Sequence, residues 1–239
     1  MKIHCVIISW QGFYNNTVLI AEQVVNSVDD LTIVYSNQME SEEYGPGTWI
    51  RTPNDWFYGR KFKKALDCIR DDEVLLLIQA DVSYRDWPEL IDRCRDVMEN
   101  INHVGVWAPD ITETSWTEKR VYVAGVKELK IEFVAQTDGI VFCYSQDIIR
   151  RLKELNYENN NLGWGIDWAA ICYSLINNKL VIRDASIVVN HKAGSGYLIN
   201  EAANQMRGFL TQLTPQEVVM YKILDAYTSY SVSELRQSF

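Results

Sequence analysis

Short apolar runs and helical periodicities alternate along this chain. Ile3 to Ser9 (IHCVIIS) reads as a strand ending in a polar, glycine-containing loop, Trp10 to Asn16. Thr17 to Ser27 has helical spacing and is expected to be capped by Asn16. Leu31 to Tyr35 is the next strand. After a looser stretch with Gly45-Pro46-Gly47, a helix is expected from Phe57 to Arg70. Val74 to Ile78 (VLLLI) is apolar throughout, as a strand buried on both faces of a parallel sheet must be. Pro88 to Met98 follows as an amphipathic helix with proline in its first turn, and Val104 to Ala108 as a further strand. This β-α-β-α-β-α-β order predicts an α/β fold with a mostly parallel central sheet flanked by helices.

The second half is less regular. Val121 to Val126, Ile131 to Ala135 and Gly139 to Tyr144 read as strands, Gln146 to Leu155 and Ile166 to Asn177 as helices. Leu180 to Val189 reads as one or two strands. From Glu201 the pattern is helical, and Pro215 opens the last helix after Thr214. Met206, Phe209, Leu210 and Leu213 form an apolar stripe suited to packing. The expected organisation is one α/β domain over 1–200 and a helical C-terminal extension over 201–239 that packs on or beside it.

Composition narrows the classes. The 239 residues carry 23 Lys and Arg against 32 Asp and Glu, a net charge of −9. Such a chain is poorly suited to a phosphate backbone, so no nucleic-acid partner is expected. The five cysteines (Cys5, Cys68, Cys94, Cys143, Cys172) are odd in number and contain no C-x-x-C, which fits buried free thiols in a reducing compartment. The first apolar run is broken by His4 and closes at Gly12, too short for a signal sequence or a membrane span. A cytoplasmic protein without a transmembrane segment is expected.

Ligands of open α/β sheets bind beyond the carboxyl ends of the strands. That rule selects the loops Ser9 to Asn16, Tyr35 to Gln38, Gln79 to Tyr84 and Trp107 to Thr114. None holds a dinucleotide fingerprint or a P-loop. Asp81, where the chain leaves its most apolar strand, is placed to hold a divalent cation against phosphate, though an aspartate there also makes Asx turns. In Gly163-Trp164-Gly165-Ile166-Asp167-Trp168 two glycines permit a tight turn, and Asp167 opens a helix whose dipole favours its charge. First-turn capping is the plainer use of that aspartate. Trp164 is a stacking platform for a sugar ring or a core residue. His191, ending an apolar strand before Lys192 and a glycine-rich turn, suits a metal or a phosphate as well as a structural role.

Together these clusters resemble the GT-A class of nucleotide-sugar glycosyltransferases, most closely the family 2 type, over roughly residues 3 to 197. The resemblance implies a donor-binding loop at Ser9 and Gln11, a nucleobase contact at Tyr35 and Asn37 beside Ser36, and an arginine on the following helix, Arg60. It implies a D-x-D-like motif at Gln79-Ala80-Asp81, with Asp81 and His191 holding Mn²⁺ or Mg²⁺. Asp167 would be the catalytic base, with acceptor contacts at Trp164, Gly165 and Trp168. Asp138 and Lys192 are further donor contacts. Sugar transfer from a nucleotide diphosphate, with UDP favoured, to a hydroxyl acceptor with inversion is the implied reaction. Two positions depart from the pattern: Gln79 stands where the first motif acid is usual, and no acid follows the second strand. A weak or inactive nucleotide-sugar-binding protein on the same fold is the alternative. A nucleotidyltransferase lacks its glycine- and lysine-rich loop here, and an interaction protein would use the aromatic surface alone.

Overall fold

The unbroken apolar runs become the centre of one sheet. The computed structural model describes residues 1–36, 44–192 and 196–237, with side chains as far as 229. The first half holds β1 (Lys2–Ser9), α1 (Tyr14–Val24), β2 (Asp30–Tyr35), β3 (Thr48–Arg51), α2 (Tyr58–Cys68), β4 (Glu73–Gln79), β5 (Val82–Ser83), α3 (Trp87–Asn100) and β6 (Val104–Ile111). The second holds α4 (Glu118–Val121), β7 (Tyr122–Val126), a 3-10 turn at Lys127–Leu129, β8 (Ile131–Val134) and β9 (Val141–Tyr144). It closes with α5 (Gln146–Lys153), α6 (Ile166–Ile176), β10 (Leu180–His191), α7 (Ile199–Leu210) and α8 (Pro215–Gln237).

The sheet order is β3-β2-β1-β4-β9-β6-β10-β8-β7, with β5 joined to β10. β3, β2, β1 and β4 are parallel neighbours, and β6 is parallel to β10. β9 runs against both β4 and β6, so those two share a direction and the sheet is mostly parallel. β1 shows why it sits centrally. Cys5 and Ile7 face one core, Val6 and Ile8 the other, and all four lack accessible surface. Helices α1 and α3 cover the first face; α2, α5 and α6 cover the second. Phe209, Leu213 and Leu224 of the C-terminal segment join that second core. Thr214 and Glu217 form a reciprocal cap at the start of α8, and Glu217 pairs with Arg151 of α5 at 2.8 Å.

The elements foreseen from the pattern are present, with four short additions, β3, β5, α4 and the 3-10 turn, and one correction. β3 and β5 are set by pairing with a neighbour. α1 starts at Tyr14 rather than Thr17, and Asn16 does not cap it. The Asn16 amide donates instead to the carbonyls of Ala80 (2.6 Å) and Val82 (2.9 Å). No helix among the described residues is long and apolar enough to cross a membrane.

Candidate functional site

The carboxyl ends of β1, β4 and β10 come together at the Ala80–Val82 turn. A bulge between Asp184 and Val188 lets β10 run on to pair with β5, setting His191 opposite Val82. Asn16 holds the same turn from the other side. Asp81 and His191, 110 positions apart in sequence, therefore lie side by side, with Oδ2 to Nε2 at 3.5 Å. The Asp81 carboxylate raises the histidine pKa above its ordinary value, against partial burial. The other ligand atoms, Oδ1 of Asp81 and Nδ1 of His191, are buried and have no hydrogen-bond partner. The facing pair, a carboxylate and the Nε2 of an imidazole, is a donor set that suits a divalent cation such as Mn²⁺ or Mg²⁺.

Two further carboxylates close the floor. Asp138 accepts a hydrogen bond from the Thr114 hydroxyl. Burial nevertheless pushes its pKa up, and Asp81 adds to the rise. Asp167 stands in the first turn of α6, after Gly165 at φ +92°. Burial pushes its carboxyl up to about 7, opposed by backbone N–H groups of Trp168, Asp167 and Gly165 and reinforced by Asp138. A methyl on Gly139 would touch the Asp167 Cβ at 3.9 Å, so the Asp138–Gly139 segment runs directly against that residue. Gln79 fixes the segment: its amide donates to the Gly139 carbonyl at 2.8 Å, joined by the Tyr58 hydroxyl at 3.3 Å. The residue in the first motif position thus braces the floor.

The other expected contacts divide. Ser9 is buried, with its hydroxyl accepting from Thr17 at 2.7 Å. Ala80 is buried beneath the Asp81 turn, and Gln11 is exposed. Tyr35 shares a hydrogen bond with the Tyr44 hydroxyl (2.6 Å) and packs on Trp49. Trp164 donates from its indole to the Tyr197 hydroxyl at 2.8 Å. Tyr197 meets Phe57, and Phe57 meets Trp10, so aromatic rings line one wall. Trp168 lies elsewhere: its ring is buried in the core against Trp116 and Tyr221. Gly165 is covered by Met206 and Leu210 of α7. The Arg60 guanidinium turns outward onto the Glu158 carbonyl (2.9 Å). Lys192 is exposed, and Asn37 lies outside the described residues.

Sequence reasoning passed over Lys61. Its side chain has no accessible surface and its ammonium donates to the Ser9 carbonyl and the Ser36 hydroxyl, each at 2.6 Å. The signal was present in the helical phase, because Tyr58, Lys61, Phe62 and Ala65 share the inward face of α2. A separate gathering of ligand-type atoms, His4, Asp30 and Glu73, lies at the opposite end of the sheet. Arg70 already pairs with both of its carboxylates.

No known protein family and no characterised protein sequence matches the chain. Among solved structures the fold is that of a GT-A-like α/β protein. The chain resembles GalNAc-T7 determined with UDP, GalNAc and Mn²⁺, with a TM-score of 0.57 and 9% identity over 87% of this chain. It spans 48% of that longer protein. It also matches CMP:2-keto-3-deoxy-manno-octonic acid synthetase complexed with CTP, at 12% identity and a TM-score of 0.46 over 88% of this chain and 99% of that one.

Proposed function

We propose that this protein is a glycosyltransferase of the GT-A type that moves a sugar from a nucleotide diphosphate, UDP favoured, to a hydroxyl acceptor with inversion. One observation supports the reading: Asp81 and His191 face each other at 3.5 Å, and Asp138 links them electrostatically to the raised carboxyl of Asp167. The GalNAc-T7 structure, which holds UDP, GalNAc and Mn²⁺ on this fold, supports it by analogy.

Asp81 and His191 would hold the divalent cation, whose charge when bound offsets that of a leaving diphosphate. Asp138, fixed by Thr114 and the braced Gly139 segment, accepts hydrogen bonds from sugar hydroxyls. Asp167 takes the proton of the acceptor hydroxyl as that oxygen attacks. A carboxyl with a pKa near 7 is matched to this task, because it is both ionised enough and basic enough near neutrality. Trp164 and Tyr197 offer ring faces and edges to the acceptor.

Gln79 favours a second reading, a nucleotide-sugar-binding protein with little transfer activity, since the brace replaces a carboxylate. Calorimetric titration with UDP, GDP and their sugars, with Mn²⁺ and after chelation, tests the first step. Metal-dependent binding of one nucleotide, lost in Asp81→Ala, is expected; no binding under any condition sinks both readings. Transfer to a hydroxyl acceptor that is abolished in Asp167→Asn, with donor binding intact, separates the two.

A further inference from the structure

Lys61 is costly where it stands. Its ammonium is fully buried, and no titratable neighbour contributes to its pKa, which burial alone pulls down to about 8. A charge removed from water without an anion opposes folding, and a methionine would fill the same space at less cost. Its partners show what is gained. The Ser9 carbonyl ends β1 and the Ser36 hydroxyl follows β2, two strands paired in register at Ser9 and Tyr35. Ser9 leads into the Trp10 turn, whose ring lies 5.8 Å from the ammonium. The rest of the site is acidic, with Asp81, Asp138 and Asp167. Arg60, next in sequence, faces away from this turn.

We propose that Lys61 is a positioning residue for the nucleotide end of the donor, drawing the ends of β1 and β2 together and setting a positive charge beneath the Trp10 turn, where a phosphate-bearing ligand is received. The inference rests on the glycosyltransferase reading for the identity of that ligand, a nucleoside diphosphate. The charge acts without contact, because a low-dielectric surround screens it little.

The test is Lys61→Met, which keeps the stem and removes the charge. Thermal melting and UDP titration with Mn²⁺ are measured on both proteins from pH 7 to 9. The variant is expected to melt at or above the parent temperature and to bind UDP about tenfold or more weakly. Parent affinity is expected to fall as the pH passes about 8, while the variant stays flat. A variant that melts lower and keeps the parent's affinity marks a plain structural latch and overturns the inference. Should the variant fail to fold, a parent affinity that is flat across this range overturns it equally. A parent that binds no nucleotide removes the glycosyltransferase reading with it. Equal UDP binding by parent and variant removes this inference alone.

Discussion

The two ends of the sheet gather similar side chains and treat them differently. At the amino end, His4 bonds Glu73 through Nδ1 (3.0 Å) and Thr32 through Nε2 (2.8 Å). Arg70 adds its backbone N–H to Glu73 at 2.8 Å and its guanidinium to Glu73 and Asp30. Glu73 Oε1 takes no hydrogen bond but is paired with the Arg70 guanidinium, so the charges are matched, and the network joins β1, β2 and β4. At the carboxyl end, Asp81, His191, Asp138 and Asp167 act on one another in turn, one imidazole among three carboxylates, and Asp81 Oδ1 and His191 Nδ1 have no hydrogen-bond partner. Counting ligand types would choose the amino end. Charge balance chooses the other, because a site must keep something unsatisfied for its ligand to satisfy.

The largest expected contrast comes from Asp167→Asn. Transfer should fall about 10²–10⁴-fold with UDP affinity unchanged. In the parent, kcat should climb with pH to a plateau above about 7, since the base must be ionised to take a proton. Stability should move the opposite way. The raised pKa means that ionised Asp167 disfavours the fold. That penalty is absent below about pH 4, grows as the pH approaches 7 and is constant beyond. Asp167→Asn should therefore be more stable than the parent above pH 7, by about 2 kcal/mol, as denaturant titrations at pH 4.5 and 8 would show. Next in size, Asp81→Ala should weaken Mn²⁺-dependent UDP binding by about a hundredfold, reflecting about 3 kcal/mol of lost charge stabilisation. Calorimetry with and without chelator reads it.

At the amino end, Glu73→Ala should leave UDP binding unchanged and cost about 3 kcal/mol of stability, since it strips a buried partner from His4 and Arg70. A large change in nucleotide affinity there would break the division between the two ends.

How much of this was legible depended on range. The strand and helix alternation is local chemistry, and β1, β4 and β6 fall where their apolar runs lie. β5 is two residues long and exists only because β10 reaches it, so no local pattern announces it. Asn16 looked like a helix cap because its partners, Ala80 and Val82, are more than sixty positions away. The pairing of Asp81 with His191 was expected from the resemblance alone, and the 3.5 Å approach gives it a physical basis. In Arg60-Lys61 the sequence drew notice to Arg60, whereas helical phase turns Lys61 inward. Trp168 shows the reverse: a tryptophan beside a polar, glycine-rich loop suggested stacking, and the helix carries its ring into the core.

The smallest test is a matched pair of hydroxyl deletions. Thr32→Val removes the partner of His4 Nε2 in a buried network, and Thr114→Val removes the donor to Asp138. At the amino end the loss should read only as stability, about 1 kcal/mol, because nothing there awaits a ligand. At the carboxyl end the Thr114 bond is the first of three restraints on the upward drift of the Asp138 carboxyl, with His191 and the Gly139 backbone N–H. Without it Asp138 holds its proton to higher pH. As the pH is lowered toward the carboxylate range, nucleotide-sugar affinity should then depart from the parent's by about threefold, against little change in melting temperature. The comparison fails if the two variants behave alike, both shifting melting or both shifting affinity. A site that differs from the opposite end only in partner count would give that result, whereas one kept unbalanced for a ligand would not.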